Sequence, residues 1–191
     1  MKNKLIPIIF LAAIPIILVG CNYEEARNES LSDQCLAINM ILNKEDISAN
    51  SAGEVSSPIS GEPINSAINS FTGPGLASHW IIQYERAEEN FQNYTDFVFV
   101  TSRTIGQWEE PSIEIQNSVA DEYKYACAPF VDAPEKMQCM YVGRYQSYLV
   151  AFGIDIGPND FTLDCFKSGI DAIDREMSEC FATLGDNTPT P

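Results

Sequence analysis

The run MQCMYVGRYQSYLVAFGIDI, Met137 to Ile156, carries the densest β signal in the chain. Valine, isoleucine, tyrosine and phenylalanine dominate it, proline is absent, and charge is confined to Arg144 and Asp155. Side chains of this kind fill a pleated, half-buried surface, so the run reads as one long strand. Gly143 and Gly153 lie inside it and are expected to mark a bend or bulge. Just upstream, EYKYACAPF over residues 122–130 alternates, with Tyr123, Tyr125 and Cys127 on one face. The intervening VDAPEK, with Pro134, reads as a turn, so the two strands form a hairpin. Downstream, Asn159 or Asp160 caps a helix running to about Leu184. Phe166, Ile170, Ile173, Met177, Phe181 and Leu184 recur at three- and four-residue spacing, with Lys167, Asp171, Asp174 and Arg175 on the other side. Gly185 then stops the helix. The expected fold class is α+β: an antiparallel β-sheet packed against a long C-terminal α-helix.

Further out the signals weaken. Trp80 to Tyr84 (WIIQY) and Phe97 to Val100 (FVFV) read as strands, and Ser112 to Ile115 as a weaker third. The charged ERAEENFQN between the first two, residues 85–93, reads as a helical turn or a loop. Residues 30–44, SLSDQCLAINMILNK, form a short N-terminal helix in this reading. Residues 48–75 are rich in Ser, Asn, Gly and Pro, and read as a linker or long surface loop with room for one short helix near Ile64 to Phe71. The resulting scheme is a leader over 1–20, a tether over 21–29, a short helix and linker over 30–75, an α+β domain over 76–185, and a disordered tail, DNTPTP, over 186–191.

The leader has three parts. Lys2 and Lys4 form a positive start, Leu5 to Val19 an apolar run, and LVGC, residues 18–21, a small-residue cleavage site. About 15 residues at 1.5 Å rise fall short of a ~30 Å bilayer core, which disfavours a stable membrane span. The stretch resembles the lipobox of bacterial lipoproteins, and Leu18, Val19, Gly20 and Cys21 match that pattern throughout. The resemblance covers only the first 21 residues. It implies that a diacylglycerol is attached to the sulfur of Cys21, that cleavage follows Gly20, and that Cys21 becomes the lipidated N-terminus. Each buried methylene adds about 0.8 kcal/mol, so two or three acyl chains anchor firmly where one exchanges. The implied location is the bacterial cell envelope, facing the periplasm or the exterior, with the membrane as a partner through the lipid on Cys21.

Charge narrows the other partners. The formal net charge is −16, and removal of Lys2 and Lys4 with the leader makes it more negative still. Such a surface repels phosphate backbones over roughly 8 Å at physiological salt, so nucleic acid is not expected as a partner.

Six cysteines less the anchor leave five, an odd number in an oxidising compartment. With a turn centred on Ala133, Cys127 and Cys139 stand opposite each other across the hairpin, within disulfide reach. Cys165 and Cys180 cannot join within one continuous helix, because 15 residues span about 22 Å against a limit near 7 Å. Cys35 is therefore expected to pair with Cys180 or Cys165, with buried free thiols as the other reading.

Reactive constellations are scarce. His79 is the one histidine, placed at the head of a strand and read as a strand-end or surface residue. There is no GxSxG, CxxC, HExxH, CxxCH or EF-hand loop, and no glycine-rich phosphate loop before a helix. No catalytic residue, metal site or cofactor is assigned. Tyr123, Tyr125, Tyr141, Tyr145 and Tyr148 crowd the hairpin, which suits either cross-strand packing or a binding face. The expected function is a membrane-anchored, non-enzymatic domain that binds an envelope protein or a small ligand. The alternatives are an envelope hydrolase using carboxylate acid–base residues and a purely structural envelope component.

Overall fold

The computed structural model describes residues 37, 39–48, 59–60, 66–72, 75–115 and 118–185. In chain order they form α1 (Lys44–Ser48), β1 (Ile59–Ser60), β2 (Ser66–Thr72), β3 (Leu76–Gln83), α2 (Ala87–Val98), β4 (Glu122–Phe130), β5 (Ala133–Tyr145), β6 (Tyr148–Ile156) and α3 (Leu163–Gly185). The leader, the lipobox, the tether, residues 30–36 of the expected first helix and the tail over 186–191 lie outside the described residues.

The fold is α+β, an antiparallel sheet with a long C-terminal helix and a short N-terminal one. Strand order is β1-β2-β3-β6-β5-β4. Two antiparallel meanders, β1 to β3 and β4 to β6, join side by side through β3 and β6. One face carries Phe71, Ile81, Tyr141, Phe152 and Ile154, which share a core with Phe166, Ile170, Ile173 and Met177 of α3 and with Met40, Ile41, Leu42 and Ile47. Each such side chain, fully buried, contributes roughly 1.5–3 kcal/mol. The other face places Val142, Leu149 and Ala151 under Phe91 of α2.

The long apolar run is not one strand. It folds back at Gln146 and Ser147, and Tyr145 pairs with Tyr148 across the break. Gln146 has φ 54°, a left-handed conformation that usually calls for glycine. Nothing in RYQSY announces a turn. The expected bends at Gly143 and Gly153 are absent too, because pairing between β5 and β6 runs through both without a shift. Close approach explains these glycines instead: a Cβ at 143 would stand 2.7 Å from Tyr141 Oη and from Tyr145 Cε2, and one at 153 would stand 2.5 Å from Met140 Sδ.

Three other local readings yield to tertiary packing. Phe97 to Val100 is not a strand, since α2 continues to Val98. The helix wins because Ala87, Phe91 and Thr95, four residues apart, form its buried stripe. Residues 112–115 form no strand, and the outer edge of β4 is instead bridged by Ile105 to Phe130 and Glu109 to Cys127. Residues 66–72, read as linker or helix, form β2 and pair with β3 along its whole length, burying Ala67, Asn69 and Phe71 in strict alternation.

The short N-terminal helix among the described residues is α1, which begins where the expected one was to end. The described residues before Asn43 form turns and bends, and the helix begins at Lys44. Asn43 N–H donates to Asp46 Oδ2 at 2.8 Å, and Asp46 N–H donates to Asn43 C=O at 3.1 Å. This reciprocal capping pins the start of α1.

Candidate functional site

The structure separates the sequence-expected residues into different environments. Cys21 and Cys35 lie outside the described residues. Cys127 and Cys139 form a disulfide across β4 and β5, directly opposite in register, with Cα atoms 4.0 Å apart. The hairpin behind it differs from the expected one. The turn is Val131-Asp132, closed by Phe130 opposite Ala133, and a register shift next to Pro129 restores the pairing centred on residue 133. Cys180 is disulfide-bonded, with a partner outside the described residues. Cys165 is a free, buried thiol that accepts a hydrogen bond from Thr162 Oγ1 at 3.2 Å.

His79 is not exposed. It is sealed in the core on β3, where Nδ1 accepts the N–H of Leu42 at 3.0 Å. Burial pushes its pKa down to about 3, so the ring is neutral and its proton sits on Nε2. The tyrosines divide as well. Tyr141 and Tyr145 are buried, and their hydroxyls lie 2.7 Å apart. Tyr145 donates to Asp174 Oδ1 at 2.7 Å, and so does Ser118 Oγ at 3.0 Å. Burial raises the pKa of both phenols and of Asp174. This network ties α3 to β5 and to the loop before β4, and it has a structural character.

The organised polar surface lies at the same end of the sheet, on the opposite face, beside α2. A cleft of about 720 Å³ opens between the first turn of α2 and the β5–β6 turn. Arg144 forms part of its lining, mostly buried, with Nη1 3.0 Å from Asp121 Oδ2 and Nη2 3.1 Å from Glu122 Oε1. Asp121 Oδ2 also accepts the N–H of Gln146 at 2.6 Å, and Asp121 N–H donates to Arg144 C=O at 2.8 Å. Glu122 Oε2 accepts from Gln92 Nε2 of α2 at 3.1 Å. Two adjacent acids therefore hold the guanidinium, the turn and the helix in one arrangement. Backbone held in a sparsely populated region by surrounding contacts is a recurrent feature of binding sites.

Around this bracing stand Tyr84, Glu85, Glu88 and Glu89, together with the amides of Asn93 and Gln146. The amide side chains of Asn93 and Gln146 make no hydrogen bond among the described residues. Among the described residues, Arg86 pairs with the exposed Glu89, at 3.2 Å. The cleft therefore offers aromatic surface, free amides and carboxylates, with a surplus of negative charge. The sequence marks Glu88-Glu89 only as an acidic pair best read as solvated. It does not join these residues to Arg144 and Gln146, which lie more than 50 positions further along the chain.

No family model, curated protein or solved structure matches the chain. No helix among the described residues is long and apolar enough to cross a membrane. No group of three or more His, Cys, Asp or Glu residues among them is placed to hold a metal ion.

Proposed function

We propose that this protein is a lipid-anchored, extracytoplasmic binding protein of the bacterial cell envelope, held to the membrane through Cys21, with a body that captures a ligand. The Cys127–Cys139 disulfide carries the compartment half of this reading. Such bridges persist in oxidising compartments and are rare in the cytosol. The LVGC box supplies the anchor.

The binding half rests on the braced cleft. Its polar groups are organised by contacts far apart in sequence, and the Asn93 and Gln146 amides within it make no hydrogen bond among the described residues. The hydrolase alternative finds less support. Burial raises the pKa of Asp155 and Asp174, but neither lines the cleft, and Asp174 is already engaged by Tyr145 and Ser118.

Metabolic labelling with a fatty-acid analogue tests the anchor. The wild-type chain is expected to take up label, and Cys21→Ser to remain unlabelled with its leader attached. Normal labelling of that variant would overturn the proposal.

A further inference from the structure

We propose that the cleft binds a glycan, specifically a neutral or amino-sugar oligosaccharide laid along Tyr84 with its hydroxyls read by Asn93 and Gln146. This deepens the binding reading above and rests on it. Shape is the first argument. The cleft at Arg144 and a hollow of about 200 Å³ over Tyr94, Phe97 and Leu149 share Tyr84 and Asn93. The two hollows adjoin at these residues, and both are open to solvent.

Surface chemistry is the second. Tyr94 is set edge-on against Trp80, with centroids 4.8 Å apart at 88°, so its ring is held before any ligand arrives. Phe97 is 78% exposed and borders the same hollow, which gives it a second aromatic face open to a ligand. Sugar rings present C–H faces that pack on aromatic rings, and hydroxyls that both donate and accept. A side-chain amide can satisfy both roles at once, through its NH2 and its carbonyl oxygen. Asn93 and Gln146 supply two such amides, uncommitted among the described residues. The strained backbone of Gln146 is held by Asp121, so that amide is presented from a fixed turn.

Charge narrows the class. Arg144 is neutralised by Asp121 and Glu122, which leaves Glu85, Glu88 and Glu89 against Arg86. Uronates and phosphorylated sugars are repelled, whereas neutral sugars and amino sugars are accepted.

The test uses the purified full chain in detergent. It is titrated separately with a β-1,4-linked N-acetylglucosamine tetramer, a glucosamine tetramer, cellotetraose, a galacturonate tetramer and a lysine-rich peptide. Binding is read by calorimetry and by the side-chain amide signals of Asn93 and Gln146. Saturable binding is expected for at least one neutral or amino-sugar probe, with both amide signals moving. Asn93→Ala and Phe97→Ala, both at exposed positions, should each weaken it about tenfold, and Tyr84→Ala at least as much. Unchanged melting of the first two variants excludes misfolding as the cause. Failure of every neutral and amino-sugar probe overturns the inference, as does tighter binding of the galacturonate or the peptide, or full affinity in the variants. Acylation of Cys21 is scored by mass on the same preparation. A missing lipid therefore counts against the anchor and leaves the glycan result to stand by itself.

Discussion

Asn69 and His79 stand directly opposite each other on β2 and β3, and between them they grip a single residue of another segment by both its backbone groups. Leu42 N–H donates to His79 Nδ1 at 3.0 Å, and Leu42 C=O accepts from Asn69 Nδ2 at 2.7 Å. The segment before α1 thereby becomes part of the core, with Met40, Ile41 and Leu42 all buried. Arg175 of α3 adds an ion pair to Asp46 at 2.9 Å on the outside.

This grip makes stability depend on acid. His79 has a folded pKa of about 3, below its ordinary 6.5, because burial disfavours the charged ring. The stabilisation is complete above 6.5 and is lost progressively as pH falls toward about 3. The slope approaches ~1.4 kcal/mol per pH unit in that window. Urea melts across it should show stability rising more steeply with pH in the wild type than in His79→Gln, by up to that amount per unit. A histidine that titrates near its ordinary value by NMR would rule the account out.

The turn at Gln146 is held by Asp121 in place of a glycine. Gln146→Gly should remove the left-handed penalty and stabilise the fold on the order of 1 kcal/mol. Asp121→Ala should destabilise it by about 1–3 kcal/mol, since it strips partners from the Gln146 N–H and from Arg144 together. Thermal melts of both variants check the opposite signs. A loss of stability in the glycine variant would contradict the strain.

Gly169 offers a sign reversal. Glycine to alanine inside a helix ordinarily gains up to about 1 kcal/mol. Here the added Cβ would lie 2.5 Å from Phe152 Cε1 and 2.7 Å from Cζ, in the contact between α3 and β6. Gly169→Ala is expected to cost roughly 1–3 kcal/mol instead. Denaturant midpoints decide between the two signs.

The cysteines give a mapping experiment. Alkylation of the unfolded, unreduced protein should modify Cys165 and leave Cys127, Cys139 and Cys180 unlabelled. Peptide mapping should join Cys127 to Cys139, and Cys180 to Cys35. Replacing Cys127 and Cys139 by serine should cost about 2–4 kcal/mol. A modified Cys180, or a Cys165 found in a bridge, would break the assignment.

How far local pattern reached can be seen residue by residue. The helix stripe of Phe166, Ile170, Ile173 and Met177 was legible because a 3.6-residue period needs no partner to be seen. The alternation of Tyr123, Tyr125 and Cys127 placed β4 for the same reason, and the Cys127–Cys139 register followed from it. The VDAPEK turn was legible as a turn, while its true two-residue form was hidden behind the shift at Pro129. The candidate cleft was not legible at all. Arg144, Asp121 and Gln92 come together only when β4, β5 and α2 are already in place.

By itself, then, the amino-acid sequence determined the α+β class, the C-terminal helix, the bridged hairpin and the acidic character of the surface. These follow from periodicity and composition, which act over a few residues or over the whole chain. Tertiary structure alone decided that FVFV ends a helix, that a polar stretch becomes β2, that RYQSY turns without glycine and that the sole histidine is buried. Each of those outcomes depends on a partner distant in sequence: the sheet beneath Phe91, β3 beside β2, Asp121 against Gln146, and Leu42 against His79. Local propensities differ by about 1 kcal/mol or less per residue, and burial or a buried hydrogen bond at such a contact outweighs them.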